Sequence, residues 1–395
     1  MRQAVIVVGS SYGDEGKGLT VYDAVRQLGT PCLNILINGG PQRGHTVETP
    51  DGSRHVFHHF GSGSAAGAVT YADMDFTVNP LIFCQEREEL IRDFPSACLR
   101  TVIHPACRVT MPYDMLLNQM IEEARGARRH GSCGLGIFET RRRFETTDWA
   151  MHWGELTRTD YSTFSAYCGR IAGEYVPGRL EQLGVSCPPE WREVLESDGL
   201  IGHTWADLQE MRMQTDLSAG WRETAEAFPT LIFEAGQGLA LDEGRIGLDP
   251  HLTPSHTTSL TAARRIAELG IPFRTEVRYV TRTYLTRHGA GPFPTECPAD
   301  RIAPDLHDRT NVPNPFQQTL RYGMFDGEAV RTRIFADLAD SRRVLPGLTA
   351  AAVITHLNET GNSLSGGMQL KQFTVGFDRV GYSYDPYNIE YGKQF

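Results

Sequence analysis

The residues most able to do chemistry lie in a glycine-rich loop near the start of the chain, Gly13-Asp-Glu-Gly-Lys-Gly18. Glycines allow successive backbone N–H groups to converge on an anion, and Lys17 can neutralise phosphate charge. Asp14 and Glu15 place two carboxylates inside the same loop. The sequence therefore predicts a phosphate loop in which a carboxylate can meet a metal or a reacting group.

The flanking sequence predicts a strand before this loop and a helix after it. The apolar run Ala4–Val8 precedes the loop, and Leu19–Leu28 has apolar residues at helical spacing. Six residues separate Gly9 from Gly16, where the usual P-loop has four, and Gly18 replaces the Ser/Thr that normally binds Mg²⁺. A turn that merely requires glycine is the alternative, but a lysine with two carboxylates favours phosphate binding.

Composition excludes several classes of protein. The 395 residues are 40% hydrophobic and 22% charged, which is ordinary for a globular protein. The formal net charge of −10 argues against a nucleic-acid surface, because phosphate backbones favour basic patches. Eight scattered cysteines form no Cys-x-x-Cys pair, and no apolar run reaches membrane-spanning length. We expect a cytoplasmic protein with reduced thiols, no signal peptide, and no nucleic-acid or membrane partner.

Apolar runs alternate with amphipathic stretches along most of the chain. This alternation predicts an α/β fold with a mostly parallel central sheet flanked by helices. The further apolar runs are Leu33–Ile37, Ala68–Tyr71, Leu231–Phe233, Val277–Tyr284 and Ala351–Ile354, and the clearest amphipathic stretches are Pro80–Arg92, Pro112–Arg125 and Leu260–Leu269.

We expect one α/β domain over residues 1–395 with two special segments. Residues 149–230 are rich in Trp, Glu and Arg and predict a helical insertion or subdomain. Residues 292–326 contain several prolines and few long apolar runs, which is typical of a functional loop region.

Six motifs, in order along the chain, resemble those of adenylosuccinate synthetase. That family joins L-aspartate to the 6-position of a purine 5′-monophosphate, using a nucleoside triphosphate and Mg²⁺. The resemblance implies a C–N bond-forming ligase with a P-loop-like phosphate loop and a homodimeric assembly. The motifs are Gly13–Gly18, Gly39–Thr46, Gly131–Ile137, Phe233–Gly238, Thr253–Thr258 and Gly289–Glu296.

The resemblance implies three catalytic residues. Asp14 matches the base that removes the purine N1 proton. His45 would stabilise the phosphoryl group as it moves to O6, and Gln237 would contact the O6 edge. Mg²⁺ would be held by Asp14 and the carbonyl of Gly44.

The resemblance also implies three sets of binding residues. Triphosphate binding falls to Gly13, Glu15, Gly16, Lys17, Gly18, Gly44, His45, Thr46, Asn358 and Gly376. Purine monophosphate binding falls to Asp14, Gln42, Ser132, Cys133, Gln237, Leu241 and Thr253. Binding of L-aspartate, in the region 292–326, falls to Thr310, Asn311, Gln317 and Arg321.

Two of these assignments contain substitutions. Ser132 and Cys133 stand where the family has paired threonines, and cysteine is a poor replacement as a hydrogen-bond donor. One of Arg141, Arg142 and Arg143 would replace the arginine that crosses the family's dimer interface, and the sequence does not choose among them. His288 stands where the family has a small apolar residue near the aspartate ligand.

The aspartate-binding region departs from the bacterial and eukaryotic pattern. Arg321 matches one family arginine, whereas other positions carry Asn and Gln. The pattern Thr-Asn-x-Pro-Asn…Gln…Arg-x-Gly resembles the viral branch, which makes 2-aminoadenylosuccinate from dGMP for diaminopurine DNA; a viral enzyme would act in the host cytoplasm. That branch often has a smaller residue at the position of Asp14, although a carboxylate can pair with N1–H and the 2-amino group together.

The expected energy donor also differs. The family recognises guanine through Thr-Lys-Leu-Asp, and this chain has Thr355-His-Leu-Asn358. An amide can both donate to and accept from adenine, so Asn358 favours ATP or dATP over GTP. The turn Gly376–Arg379 resembles the family's second base contact, and we expect it to form the other wall of that pocket.

These observations lead to one function and two alternatives. The leading prediction is a ligase that converts dGMP, L-aspartate and ATP or dATP to 2-amino-2′-deoxyadenylosuccinate. The first alternative is an adenylosuccinate synthetase acting on IMP with GTP. The second is a purine-nucleotide sensor that has kept the pocket and lost catalysis.

Overall fold

The computed structural model describes residues 1–245, 251–306, 311 and 319–392. Within these ranges the strands are β1 (Gln3–Gly9), β2 (Cys32–Leu36), β3 (His45–Glu48), β4 (Arg54–Phe57), β5 (Val69–Ala72), β6 (Thr77–Val78), β7 (Thr101–Ile103), β8 (Arg108–Val109), β9 (Thr215–Leu217), β10 (Thr230–Glu234), β11 (Arg274–Arg282), β12 (Leu285–Arg287), β13 (Arg321–Gly323), β14 (Thr349–Thr355), β15 (Arg379–Tyr382) and β16 (Glu390–Gly392).

The helices in the same ranges are α1 (Lys17–Leu28), α2 (Pro80–Asp93), α3 (Pro112–Arg125), α4 (Ile137–Arg143), α5 (Trp153–Leu156), α6 (Tyr161–Arg170), α7 (Val176–Leu183), α8 (Pro189–Leu195), α9 (Asp198–Gln214), α10 (Trp221–Glu226), α11 (Ser259–Glu268), α12 (Gly327–Val344) and α13 (Leu370–Phe373). A π-helical turn, Ile171–Tyr175, joins α6 to α7.

A large central sheet organises the molecule. Its strand order is β16-β15-β14-β11-β1-β10-β2-β5-β7-β9, and every neighbouring pair is parallel except β15 with β16. The predicted mostly parallel α/β sheet is therefore confirmed. Within the described ranges no helix combines the length and apolar character needed to cross a membrane.

Both faces of the central strand β1 are buried, which explains why its sequence is a continuous apolar run. Ile6 and Val8 belong to a hydrophobic cluster that includes residues of α11 and α12. Val5 and Val7 belong to a second cluster, with residues of α1. Because successive side chains of a strand point to opposite faces, helices on both sides require apolar residues at every position.

The segment 149–230 contains α5 to α10 and also the short strand β9, which extends the sheet beyond β7. Trp153, Phe164 and Leu208 from this segment share one buried cluster with Phe83 of α2 and Leu117 of α3. The helices of the segment thus pack into the same core as the helices that flank the sheet.

The topology brings the carboxyl ends of several parallel strands to one edge of the sheet. The loops that leave β1, β2, β10, β11, β14 and β15 all start there. In open α/β sheets this edge is where ligands bind. Among the described residues of these loops, four residues other than glycine have a left-handed backbone, namely Asp14 (φ 55°), Gln237 (φ 61°), His356 (φ 60°) and Asn362 (φ 63°). Such conformations are costly and concentrate at functional sites.

Candidate functional site

The phosphate loop joins β1 to α1 in tight contact with the loop after β10. A Cβ atom on Gly9 would lie 2.3 Å from Glu15 Oε2 and 2.7 Å from the carbonyl oxygen of Gln237. Gly16, with φ 91°, immediately precedes the first residue of α1, Lys17. Only glycine fits both positions, because one has no room for a side chain and the other requires a left-handed backbone.

A cavity of about 970 Å³ opens beside this loop. It is lined by nine predicted residues, which are Asp14, Glu15, Gly16, Lys17, Gly18, Gly44, His45, Thr46 and Asn358. Its remaining lining residues are Leu19, Glu48, Arg54, Arg282, Tyr284, residues 303–306, Thr355, His356, Glu359, Ser383 and residues 385–387. The structure thus brings together most of the residues predicted to bind the triphosphate.

Asp14 is held by a cation and an amide. Arg282 Nη2 donates to Asp14 Oδ2 over 2.8 Å, and Asn311 Nδ2 donates to the same oxygen over 3.0 Å. Burial raises the pKa of the Asp14 carboxyl, but Arg282 and neighbouring positive groups outweigh burial and lower that pKa to about 2. Asp14 is therefore an ionised carboxylate, able to accept a proton or a metal ion.

Glu15 and Lys17 lie next to each other in the buried part of the loop. Burial raises the pKa of the Glu15 carboxyl to about 7, although the nearby Lys17 ammonium opposes this shift. Burial also lowers the pKa of Lys17, and Glu15 opposes that shift in turn. Both side chains are only 3% exposed. A phosphate group entering the cavity would meet a largely desolvated ammonium, which strengthens their attraction.

His45 is oriented by a buried carboxylate that the sequence predictions omitted. Its Nδ1 lies 2.6 Å from Glu234 Oε1. Glu234 also accepts hydrogen bonds from the backbone N–H and hydroxyl of Ser62, and Arg43 Nη1 lies 3.5 Å away. Glu234 and Arg43 lie inside two of the motifs identified above. The sequence features that could have identified them are a charged residue at the end of a buried strand (Glu234, the last residue of β10) and a charged residue within a glycine-rich loop (Arg43).

Arg282, which holds Asp14, had no comparable signal in the sequence. It is the last residue of β11 and lies two positions before Tyr284. Its partner Asp14 is separated from it by 268 residues along the chain. Only the pairing of β1 with β11 brings the two residues together.

Gln237 lies against the phosphate loop rather than in the wall of the large cavity. A Cβ atom on Gly13 would lie 3.4 Å from Gln237 Cα, and one on Gly238 would lie 2.4 Å from the carbonyl oxygen of Ser11.

Gln42 shows a buried Oε1 atom without a hydrogen-bond partner among the described residues. Since buried polar atoms are nearly always paired, this atom is suited to accept from a ligand.

The other residues predicted to bind the monophosphate lie in two further segments, residues 132–133 and the region around Leu241 and Thr253. Ser132 Oγ donates to Asn118 Oδ1 over 3.0 Å, and burial raises the pKa of the Cys133 thiol. The backbone N–H of Thr253 donates to the carbonyl of Leu241 over 3.0 Å. None of these four predicted residues lines the large cavity as the structure describes it.

The prediction that Gly376 forms the wall opposite Asn358 is wrong. Gly376 precedes β15, and the backbone N–H of Asp378 donates to Ala350 at the start of β14. Asn358 follows the carboxyl end of β14, so Gly376 lies at the opposite edge of the sheet. The cavity wall beside Asn358 comes instead from Ser383 and residues 385–387, which follow the carboxyl end of β15.

Arg321 is occupied by contacts within the chain. Its Nε and Nη2 donate to the carboxylate of Glu296, and its Nη1 donates to the carbonyls of Gly289 (2.9 Å) and Gly291 (2.7 Å). The guanidinium thus braces the loop after β12, and binding an aspartate carboxylate would require some of these bonds to exchange. Thr310 and Gln317, also predicted to bind aspartate, lie outside the described residues, whereas Asn311 contacts Asp14.

The three consecutive arginines have different environments. Arg143 is fully buried and donates to both carboxylate oxygens of Asp114, each over 2.8 Å. Arg142 is exposed and pairs with Glu145, and Arg141 pairs with Glu243 over 2.8 Å. Arg143 therefore has a structural position, which leaves Arg141 and Arg142 as candidates for a contact across an interface.

Comparison with known proteins tests the family resemblance. The adenylosuccinate synthetase family model matches residues 6–341. Adenylosuccinate synthetase of Alkalilimnicola ehrlichii is 32% identical over 352 residues, which is 84% of this chain and 73% of the relative. The enzyme of Chromohalobacter salexigens is 29% identical over 301 residues, which is 75% of this chain and 65% of the relative, just under two thirds.

Two solved structures share the fold. Fully ligated adenylosuccinate synthetase from Plasmodium falciparum superposes with a TM-score of 0.67 at 15% identity, covering 98% of this chain and 87% of that one. Succinoaminodeoxyadenylate synthetase of cyanophage S-2L, bound to dGMP and to dATP as energy donor, gives 0.63 at 16% identity, covering 99% and 95%. At such identities the likeness concerns the fold alone. The family match over residues 6–341 and the 32% identity to a curated member show that this chain belongs to the adenylosuccinate synthetase family, whose members are C–N ligases.

Proposed function

We propose that this protein joins L-aspartate to the 6-position of a purine 5′-monophosphate, with dGMP as acceptor and ATP or dATP as donor. The observation that carries the proposal is the meeting of Asp14, Lys17 and His45 in one cavity at the carboxyl edge of the sheet. A base, a phosphate-binding cation and an oriented imidazole are the groups that phosphoryl transfer to a purine oxygen requires.

The reaction would proceed in two steps. In the first, Asp14 accepts the N1 proton of the purine, O6 attacks the γ-phosphorus, and the nucleoside diphosphate leaves. Lys17 and His45 stabilise the charge on the moving phosphoryl group, and Gln237 holds the O6 edge. In the second, the amine of L-aspartate attacks C6 and inorganic phosphate leaves with the original O6. Phosphorylation replaces hydroxide, a poor leaving group, with phosphate.

The donor set at the cavity fits Mg²⁺ arriving with the triphosphate. Asp14 offers a carboxylate and Gly44 a carbonyl, and both residues line the cavity. Among the described residues no group of three or more His, Cys, Asp and Glu side chains could hold a metal. Mg²⁺ commonly uses one or two carboxylates with substrate phosphates, so a cage made only of protein is not required. Bound there, it would neutralise phosphate charge.

Two observations support dGMP and an adenine donor over IMP and GTP. Asn358 lines the cavity, where its amide can donate to and accept from adenine. The cyanophage structure, whose fold this chain shares, holds dGMP and dATP. Asp14, where the viral branch often has a smaller residue, weakens the case for dGMP but does not rule it out, since a carboxylate can accept from both N1–H and the 2-amino group of guanine.

The proposal is tested by product analysis. The protein is incubated with L-aspartate, Mg²⁺ and each pairing of dGMP or IMP with ATP or GTP, and the mixture is examined by mass spectrometry. We expect a succinylated product and free phosphate with dGMP and ATP. Product with IMP and GTP alone would establish the alternative acceptor and donor, and nucleotide binding without product in any mixture would favour the non-catalytic sensor. We also expect a homodimer, which light scattering measures directly.

A further inference from the structure

A continuous chain of hydrogen bonds runs along the wall of the large cavity from Glu359 to Asp14. Tyr284 Oη donates to Glu359 Oε2 over 2.5 Å. Arg282 Nη1 donates to Tyr284 Oη over 2.7 Å, and Arg282 Nη2 donates to Asp14 Oδ2 over 2.8 Å. All four residues line the cavity, although they come from three separate loops and strands.

The direction of each hydrogen bond is fixed by the chemistry of the partners. An arginine can only donate, so the Tyr284 oxygen accepts from Arg282 and its single proton goes to Glu359. Burial raises the pKa of the Tyr284 phenol well above its ordinary value, with the Glu359 carboxylate adding to this effect. Tyr284 therefore keeps its proton, and it is only 2% exposed. A protonated, desolvated hydroxyl between a cation and a carboxylate makes strong, directional bonds.

The two ends of this hydrogen-bond chain, Glu359 and Asp14, lie in parts of the site with different predicted tasks. Glu359 directly follows Asn358, which is predicted to recognise the donor base, within the short helical turn Leu357–Glu359. Asp14 is the predicted base for the acceptor purine. Arg282 also donates through Nε to the backbone carbonyl of Asp14, whose left-handed φ of 55° needs support from its surroundings.

We propose that Tyr284 and Glu359 are positioning residues that hold Arg282 on Asp14 and so couple the donor-base loop to the acceptor-side carboxylate. This inference rests on the proposed function for the tasks of Asn358 and Asp14. The three hydrogen bonds connect the residue that follows Asn358 to Asp14. A shift of the loop at Glu359 on donor binding would be transmitted to Arg282 through the shared hydroxyl, because each bond depends on the geometry of the next.

Substitutions at two residues, Tyr284 and Glu359, test the hydrogen bonds one at a time. Tyr284→Phe removes the hydroxyl but retains the ring, over which the Arg282 guanidinium carbon lies 5.3 Å from the centroid. Glu359→Ala removes the final acceptor, and Glu359→Gln restores one through its amide oxygen. Tyr391→Phe is the matched control, since Tyr391 has a buried hydroxyl without a hydrogen-bond partner among the described residues and does not line the cavity.

The first measurement is structural and does not depend on turnover. In crystal structures of Tyr284→Phe and Glu359→Ala, we expect the distance from Arg282 Nη2 to Asp14 Oδ2 to exceed hydrogen-bonding range. We expect it to stay near 2.8 Å in Tyr391→Phe and Glu359→Gln. Retention of the Arg282–Asp14 bond in Tyr284→Phe would overturn the proposal, whether or not the protein proves to be a ligase.

The second measurement separates positioning from binding. If the ligase activity is present, Tyr284→Phe should lower kcat by roughly ten- to a hundredfold, because a small misplacement of a reacting group has an effect of this size. The KM for the triphosphate should change less than about threefold, and Glu359→Gln should recover most of the kcat lost in Glu359→Ala. An equal change of kcat in Tyr391→Phe, or a Tyr284→Phe effect confined to KM, would also overturn the inference. Absence of product from the unmodified protein would count against the proposed function alone.

Discussion

His45 Nδ1 and Glu234 Oε1 lie 2.6 Å apart, and both side chains are almost completely buried. Burial raises the pKa of the Glu234 carboxyl, but Arg43, His45 and Ser62 outweigh burial and lower that pKa to about 2. Glu234 is therefore an ionised acceptor and His45 donates its Nδ1 proton to it. This bond directs the other ring nitrogen of His45, Nε2, away from Glu234 and fixes the tautomer of the ring.

The pKa of His45 should rise when a triphosphate binds. Burial lowers the pKa of its imidazole to about 4, against the opposing effect of Glu234. Because the pKa lies below the ordinary value of 6.5, the free protein should hold neutral His45 from pH 8 down to about pH 5 and gain the proton only as the pH falls through about 4. A bound triphosphate adds negative charge and should raise this midpoint. Nitrogen-15 NMR of the imidazole measures both states.

The matched variant for this titration is Glu234→Gln. The amide can still accept from Nδ1 but carries no charge, so we expect a lower His45 midpoint in the free protein than with Glu234. A midpoint near 6.5 in the unmodified free protein would contradict the assignment of a neutral, buried imidazole.

Asp14→Asn should separate proton transfer from binding. The amide has nearly the same shape and its oxygen can still accept from Arg282, but it cannot take the N1 proton of the purine. General-base contributions are on the order of a hundred- to ten-thousandfold, and we expect a loss of kcat in that range with triphosphate affinity changed only a few-fold. Turnover by mass spectrometry and affinity by calorimetry test this. Near-normal turnover would make Asp14 a metal or recognition residue and place the base elsewhere.

The strands and helices that position the site were predictable because the sequence patterns that indicate them are local. The run Ala4–Val8 lies within β1, and Pro112–Arg125 coincides with α3. In both cases the apolar pattern directly indicates which residues are buried. The glycine content of the loop between β1 and α1 likewise predicts that loop. The prediction of most residues that line the large cavity rested on the same short motifs.

The contacts that connect these elements were not predictable, because they depend on residues far apart in sequence. The Arg282–Asp14 pair spans 268 positions, and no local pattern distinguishes Arg282 from other charged residues at strand ends. The error at Gly376 has a related cause. The resemblance of Gly376–Arg379 covers only four residues and does not reveal which end of β15 they occupy, and only strand direction decides which loop faces the cavity.

The two neighbouring arginines Arg142 and Arg143 should differ sharply in their effect on stability. Arg143→Met leaves the Asp114 carboxylate buried without its partner, and losing one member of a buried ion pair costs about 3–5 kcal/mol of unfolding free energy. Arg142→Ala removes an exposed pair with Glu145, and such pairs contribute about 0–1 kcal/mol. Urea unfolding of both variants provides the comparison. Similar losses would show that Arg143 is less buried in solution than the structure indicates.

The donor preference should change with a single atom of Asn358. Asn358→Asp replaces the amide nitrogen with a carboxylate oxygen, which accepts from guanine N1–H and the 2-amino group and repels the lone pair on adenine N1. Ser383 and residues 385–387, which line the same cavity, remain unchanged, so the substitution isolates one recognition element. Losing or gaining such a pair is worth about 1–3 kcal/mol, up to roughly a hundredfold in selectivity. We expect kcat/KM to shift from ATP toward GTP by this order, measured at saturating dGMP and L-aspartate. If the unmodified protein already prefers GTP, Asn358 is not the residue that selects the base, and the selection must come from the loop after β15.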